Sequence, residues 1–395
     1  VVRRVLLGNA LSAIGSGLTM PLLIVYLGEV RGLGTAVAGL VVAWVAVVSL
    51  VLLPGVGVLV DRLGPRPVLM VGLVVEAIGV ALLTQVTSVP TAFLVATVVA
   101  AGGSATWSPQ SALLGRLTTP EQRQRVFGIQ FMLLNLGIGI GGLVAATIVR
   151  AENPSSFVTL YYLDALTYLL YVAVLLTLRG VGVGPAPVQE GADADAGFRE
   201  VLADRRLVRI MVLGLVLLTC GYGSLEVGLP VFITVVNDLA VSWVAVAYAV
   251  NTFTIVLMQL VTLRLIQGRS RSRLLAVIGV LWGLSWLVVG VTGLLPMAAA
   301  ITLVLLSTFI FAVGETLWAP IAPALVNDLA PDHLRGRYNS LQSVVWGVSG
   351  SIGPALAGAM LGVGLVGLWV GLVVLGCLAA SVLAIRLRGH LTPEL

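Results

Sequence analysis

The sequence predicts an all-α membrane protein of twelve transmembrane helices in two pseudo-symmetric six-helix bundles, with both termini inside. Three observations predict it. Of 395 residues, 59% are hydrophobic and 10% charged, and the mean hydropathy is +1.09; soluble domains carry about 25% charged residues, so this balance cannot cover a water-facing surface. Apolar stretches of about 20 residues, each long enough to cross a bilayer as a helix, recur twelve times. Residues of the first half return in the second at a near-constant spacing.

The spans read in order as 5–28, 35–60, 68–88, 91–115, 126–149 and 156–178, then 208–235, 241–266, 273–294, 299–325, 338–361 and 364–386. The first is too long for a signal-peptide core and has no small-residue cleavage site, so it reads as a permanent helix. Spans 91–115 and 299–325 run long, and tilt or an extension past the bilayer is expected of them. Residues 1–179 form the first bundle and 207–395 the second. Between them, 180–206 opens Gly- and Pro-rich, passes the acidic Asp193 and Asp195, and ends in FREVLADRR. That pattern predicts a flexible linker followed by a short helix on the inner membrane surface, with Phe198, Val201 and Leu202 on one face.

Orientation follows from the arginines. All 22 basic residues are Arg. With the N-terminus inside, only Arg31 and Arg150 fall outside, and an incorrect helix count would scramble that alternation. A multi-pass protein of the cell's inner (cytoplasmic) membrane is expected. The formal charge of +5 then needs no nucleic acid as partner. The absence of Lys removes a P-loop and a Schiff base. Two His and two Cys cannot build a zinc or iron–sulfur site, and Cys220 and Cys377 lie in apolar stretches as packing residues. No nucleophile–base constellation supports an enzyme. No cofactor and no metal are expected.

The repeat is specific. Gly103, Trp107, Pro109 and Leu114 return as Gly314, Trp318, Pro320 and Leu325; Arg123, Arg125, Gln130 and Gly141 return as Arg335, Arg337, Gln342 and Gly353; Pro21 matches Pro230. Parallel repeats of this kind build many secondary transporters, with the substrate site near the midplane. One chain holds both halves, so a monomer is expected.

The loop after the second span, GVLVDRLGPRPVL at 57–69, resembles the signature of the major facilitator superfamily, G-x-x-x-D-[RK]-x-G-[RK]-[RK]. Gly57, Asp61, Arg62, Gly64 and Arg66 match it, and Pro65 replaces a basic residue. In the eleventh span Gly353, Pro354 and Gly358 are similar to the antiporter motif of drug exporters, with Ser349 in place of the first Gly; in the fifth the motif is degraded to Gly137, Gly141 and Gly142. The Arg that many proton-coupled exporters carry in the fourth span is absent. The resemblance implies twelve-helix alternating access powered by the proton gradient, resembling drug:proton antiporters. It implies gating by Asp61, which braces the inner gate against the eleventh span. The residues themselves place Asp61 to cap or face a helix N-terminus, and Gly57 and Gly64 to allow close packing and a tight turn. Arg116 is a direct partner for Asp61, and Arg269 or Arg271 for Asp328.

Ionisable residues at membrane depth are costly, so each is a functional candidate. Four qualify: Glu76, Asp164, Glu226 and Glu315. By the resemblance, spans 7 and 10 line the cavity, and these carry Glu226 and Glu315; their repeat partners Gly17 and Ser104 cannot titrate. Glu76 and Asp164 fall on supporting spans and read as hydrogen-bonded structural acids, Asp164 within reach of the outer headgroups. Tyr222 shares a helical face with Glu226, as Phe311 does with Glu315, and Trp318 sits one turn beyond. Carboxylates beside aromatic faces suit a flat, apolar cation. A carboxylate held out of water is cheapest when neutral, so proton and cation exclude one another, which is the core of antiport. Asn135, Asn251 and Trp346 are further cavity candidates, whereas Trp44, Trp282, Trp286 and Trp369 read as packing or interface residues. The expected function is proton-coupled efflux of apolar or cationic small molecules, as in multidrug resistance, with protons and membrane lipid as the other partners. The alternatives are a transporter of a lipid, siderophore or metabolite, uptake included, and a non-transporting receptor or scaffold.

Overall fold

The computed structural model describes residues 1–149, 154–178, 180–185 and 197–387. Arg150, Arg179, Asp193, Asp195, Arg388 and His390, which entered the sequence reading, lie outside them. The described residues form helices and no strands. Twelve helices are long and apolar enough to cross a membrane. Spans 1–6 are Val2–Val30, Thr35–Leu63, Pro65–Leu83, Val89–Leu117, Pro120–Ile148 and Ser155–Leu176; spans 7–12 are Arg205–Val236, Ser242–Leu265, Arg271–Leu294, Met297–Leu329, Asp332–Gly362 and Val366–Arg386. Each coincides with an apolar stretch of the sequence. Span 10, at 33 residues, measures about 50 Å at 1.5 Å per residue, longer than the ~30 Å hydrocarbon core.

The chain forms two compact units. Unit 1 is Val1–Val201 with Val326–Val344, so the end of span 10 and the start of span 11 belong to it; unit 2 is Leu202–Leu325 with Val345–Leu395. In unit 1, span 1 packs on spans 5 and 6, and span 4 on spans 2 and 3. In unit 2, span 12 packs on spans 7 and 9.

Small residues set the closest approaches. A Cβ at Gly137 would stand 2.7 Å from that of Ala13, and Gly141 abuts Ile14 and Gly17, which locks span 5 onto span 1. Gly353 repeats Gly141, and a Cβ there would stand 2.6 Å from the Gly223 carbonyl carbon, which locks span 11 onto span 7. Without a hydrophobic drive between helices in lipid, such close packing is a main source of association.

Spans 1 and 7 are broken near their prolines. Span 1 tightens to a 3₁₀ turn at Met20–Leu22, around Pro21, and widens to a π turn at Tyr26–Val30. Span 7 carries π turns at Leu218–Tyr222 and Phe232–Val236, on either side of Glu226 and Pro230. Proline removes a backbone donor and forces such departures. A short helix forms at Phe198–Ala203, as expected; Val201 is buried but Leu202 is exposed, so the predicted apolar face narrows. The opening of the linker is pinned, not free. Gly182 accepts from the Arg66 amide at 3.0 Å and Gly184 donates to the Leu63 carbonyl at 2.9 Å. Gly180, Gly182 and Gly184 all have positive φ, which lets this strand wrap the turn between spans 2 and 3.

Candidate functional site

Two constellations gather most of the residues singled out in the sequence, one in each unit. In unit 1, Asp61 ends span 2 and is buried. Its Oδ1 accepts the Gly336 amide at 2.6 Å, and its Oδ2 accepts the Arg337 amide at 3.2 Å and the Arg337 guanidinium at 3.1 Å. Asp61 therefore caps the N-terminus of the α-helix in span 11, where free amides and the helix dipole favour a carboxylate. Gly57, one turn earlier, faces Ser340 and Arg337, and a Cβ there would lie 3.0 Å from the Arg337 Cα. Gly64 has φ +89 and lies against Gly182 and Gly184. A side chain there would be strained by φ and blocked by the linker backbone. Arg66 is buried, while Arg62 is exposed.

The expected pairing of Arg116 with Asp61 does not form. Arg116 donates to the Gly184 carbonyl at 3.1 Å, because two amides and a guanidinium from span 11 already occupy Asp61. Asp328, whose expected partners Arg269 and Arg271 belong to unit 2, takes a partner within unit 1. It is paired with Arg123 at 2.5 Å. Arg123 also donates to the Asn327 carbonyl at 3.0 Å and, through Nη2, to the Gly115 carbonyl at 3.0 Å. Arg123 thus closes the C-terminal end of span 4 and that of span 10 at once, where a cation complements the dipole. Asn327 and Asn339 exchange amide hydrogen bonds of 3.1 Å each beside it. These two asparagines were missed in the sequence. They sit twelve apart across a loop, a spacing with no periodic signal, and only their shared position at the breaks of spans 10 and 11 hinted at them.

In unit 2, Glu315 is 3% exposed at the centre of span 10. Asn251 of span 8 donates to its Oε2, and the Tyr222 hydroxyl of span 7 lies beside it. Tyr222 belongs to a cluster of aromatic rings that includes Phe311, four residues before this acid. Tyr222 lies 4.9 Å from Trp346, edge to face, and 6.1 Å from Phe311. Phe311 stacks on Trp282 at 5.0 Å with 9° between planes, and Trp318 lies 6.1 Å from Trp282. Trp282, read as packing, is fully buried and donates to the Phe311 carbonyl at 3.1 Å; it is the wall that sets the rings. Glu226 is exposed within this unit. Tyr248, a third residue missed in the sequence, anchors on the Leu225 carbonyl beside it at 3.4 Å. Its signal was the three-residue spacing to Asn251, which puts both on one face of span 8. Pro354 is half-buried next to Gly353. Asn135 belongs to unit 1 and donates to the Phe131 carbonyl of its own helix at 3.0 Å.

Such a site can neutralise a cation at one carboxylate and hold it against ring faces. Among the described residues, no group of three or more His, Cys, Asp or Glu is placed to hold a metal ion. Glu76 and Asp164 both take partners within unit 1. Asp164 is 1% exposed, so it does not extend toward headgroups as expected; span 6 buries it against Thr19 of span 1.

The family model of the Major Facilitator Superfamily matches residues 5–288. Multidrug resistance protein MdtH of Yersinia enterocolitica is 25% identical over 367 residues, covering 91% of this chain and 86% of the relative. MdtH of Salmonella typhimurium is 28% identical over 307 residues, covering 75% and 70%. Among solved structures, a bacterial homologue of the iron transporter ferroportin in an outward-facing state superposes with a TM-score of 0.79 at 17% identity, over 98% of both chains. The human organic anion transporter MFSD10 does so with 0.73 at 15% identity, over 99% of both.

Proposed function

Since the chain belongs to the major facilitator superfamily of membrane transporters, we propose that it exports apolar or cationic small molecules in exchange for protons. One observation carries this reading: a carboxylate, Glu315, buried at mid-span in the unit that holds the aromatic cluster of Tyr222, Phe311, Trp318 and Trp346. Multidrug resistance proteins among its relatives support the substrate class. A polar or strongly anionic cargo would need convergent cationic donors, and spans 7–11 carry none between Arg209 and Arg264 or between Arg273 and Arg335.

In the proposed cycle, with both termini inside, the Asp61–Arg337 cap and the Arg123–Asp328 pair hold the inner ends of spans 10 and 11 on unit 1. Protons entering from outside neutralise Glu226 and Glu315 and release the cargo. The caps then break, the site opens inward, and a fresh cation displaces the protons. Asn251 and Tyr222 hold the Glu315 carboxyl in one orientation through both protonation states, since an amide and a hydroxyl can bond either.

The test is reconstitution into liposomes with an internal pH dye, a panel of lipophilic cations and neutral antibiotics, and Glu226→Gln and Glu315→Gln in parallel. Substrate-evoked proton movement that disappears in Glu315→Gln is the expected result. Flux without pH change in the wild type would reject proton coupling, and proton movement unchanged in both variants would reject the assignment of the acids.

A further inference from the structure

Unit 1 contains a second pair of acids at membrane depth, buried Asp164 and half-buried Glu76, that the proposed cycle does not use. Glu76 of span 3 accepts the Thr106 hydroxyl of span 4 at 2.8 Å. The hydroxyl of Tyr168 on span 6 lies beside it. Tyr168 in turn contacts the Ser16 hydroxyl of span 1 at 3.1 Å. One turn further along the same two helices, the Thr19 hydroxyl donates to Asp164 Oδ2 at 2.5 Å. Ser16 and Thr19 are three apart, and Asp164 and Tyr168 four apart, so each pair shares a helix face. Hydroxyls and carboxyls from four helices thus line up in one seam.

The seam is not a closed structural network. Asp164 Oδ1 is buried and accepts no hydrogen bond among the described residues, and the same holds for the Tyr161 hydroxyl one turn away. A buried carboxylate oxygen with no donor is where a proton is best placed. Gly15 keeps that oxygen accessible to the seam, since a Cβ there would collide with Asp164 Oδ1 and the Thr167 hydroxyl. No cation offsets the two acids. The titratable groups facing them are Tyr161 and Tyr168 on span 6; spans 3 and 4 offer no basic residue between Arg66 and Arg116, and span 1 none between Arg4 and Arg31.

We propose that Glu76 and Asp164, joined through Tyr168, Ser16 and Thr19, form a proton-binding and proton-transfer site inside unit 1, separate from the cargo acids of unit 2. Transfer exchanges O–H bonds only. Glu76 gives its proton to a hydroxyl oxygen of the seam while a hydroxyl proton passes on to Asp164. The turn from Ser16 to Thr19 is the step that needs a side-chain rotation. The site's place in transport rests on the proton-coupled reading above; its occupancy by a proton does not.

The experiment is infrared difference spectroscopy of the full chain in nanodiscs, titrated with pH in H₂O and D₂O. Glu76→Gln and Asp164→Asn keep acceptors for Thr106 and Thr19, and each is expected to lose one component of the protonated-carboxyl band. Glu315→Gln is expected to lose a different component, so failure of the cargo reading leaves the unit 1 signal standing. An unchanged band in both unit 1 variants, folded by gel filtration, overturns the proposal. Should either fail to fold, Tyr168→Phe decides: it removes the seam hydroxyl beside Glu76 and is expected to move that component to higher frequency, and an unmoved band overturns the site.

Discussion

At the scale of the residue, three hydrogen bonds hold the Asp61 carboxylate on span 11. Hydrogen bonds to a charged group contribute about 1.5–3 kcal/mol each way. Asp61→Asn keeps the shape but loses the charge and places an amide donor against backbone N–H groups. It is expected to lower the thermal midpoint and slow drug-evoked flux, and a double-mutant cycle with Arg337→Ala should show coupling above ~0.5 kcal/mol; additive effects would mean the pair carries no weight. Trp346→Ala tests the aromatic cluster. Losing a desolvated cation–π contact of ~2 kcal/mol should weaken binding of a lipophilic cation roughly 30-fold, read by fluorescence titration, while leaving neutral compounds less affected. The sequence makes Asp61 legible as a helix cap because acid, turn glycine and arginines stand together. It does not show which helix, since Arg337 lies 276 positions away; proximity in sequence favoured Arg116. Glu315 was legible as an acid in an apolar run with Phe311 on its face. Asn251, on another span, was visible only as a polar residue in a greasy helix, and its bond to Glu315 needed the fold.

At the scale of the element, the paired glycine seams carry the packing. Gly353 abuts the backbone of span 7 as Gly141 abuts that of span 1, and the 212-residue repeat relates the two positions by 141 and 353 themselves. A side chain cannot be admitted at either without moving helix backbone. Gly353→Val is therefore expected to destabilise by about 1–3 kcal/mol, the range for overpacking, and to fall in thermal midpoint more than Gly358→Val, whose Cβ would meet nothing within 4 Å. Equal loss in both would show that the seam is unimportant. Span ends were legible to within a few residues because hydropathy is set by the bilayer and not by partners. The breaks in spans 1 and 7 were legible from Pro21 and Pro230, but the π turns were not, because they answer to crowding between helices. The linker's pinned opening was hidden for a related reason. A Gly-rich run reads as flexible, and here its positive-φ glycines are what fit it around Gly64.

At the scale of the whole molecule, the twelve spans and the arginine alternation argue one topology, and it can be checked directly. Replacing Cys220 and Cys377, which are the two cysteines of the chain, gives a background for single-cysteine labelling with a membrane-impermeant maleimide. Arg62 and Gly268 close the turns after spans 2 and 8; Gly32, Leu294 and Val363 close those after spans 1, 9 and 11. All five are exposed. With Arg-rich turns inside, Arg62→Cys and Gly268→Cys are expected to label only from the inner face, in inside-out vesicles. Gly32→Cys, Leu294→Cys and Val363→Cys are expected to label only on intact cells. The opposite pattern would invert the chain, put the Asp61 cap at the outer mouth, and turn the proposed export cycle into one of uptake. A pattern that alternates through span 6 and then slips would break the two-bundle repeat, on which the matching of Gly17 with Glu226 and of Ser104 with Glu315 depends. Because the Arg bias, the repeat and the placement of the acids are independent features of one sequence, their agreement on a single labelling pattern tests all three together.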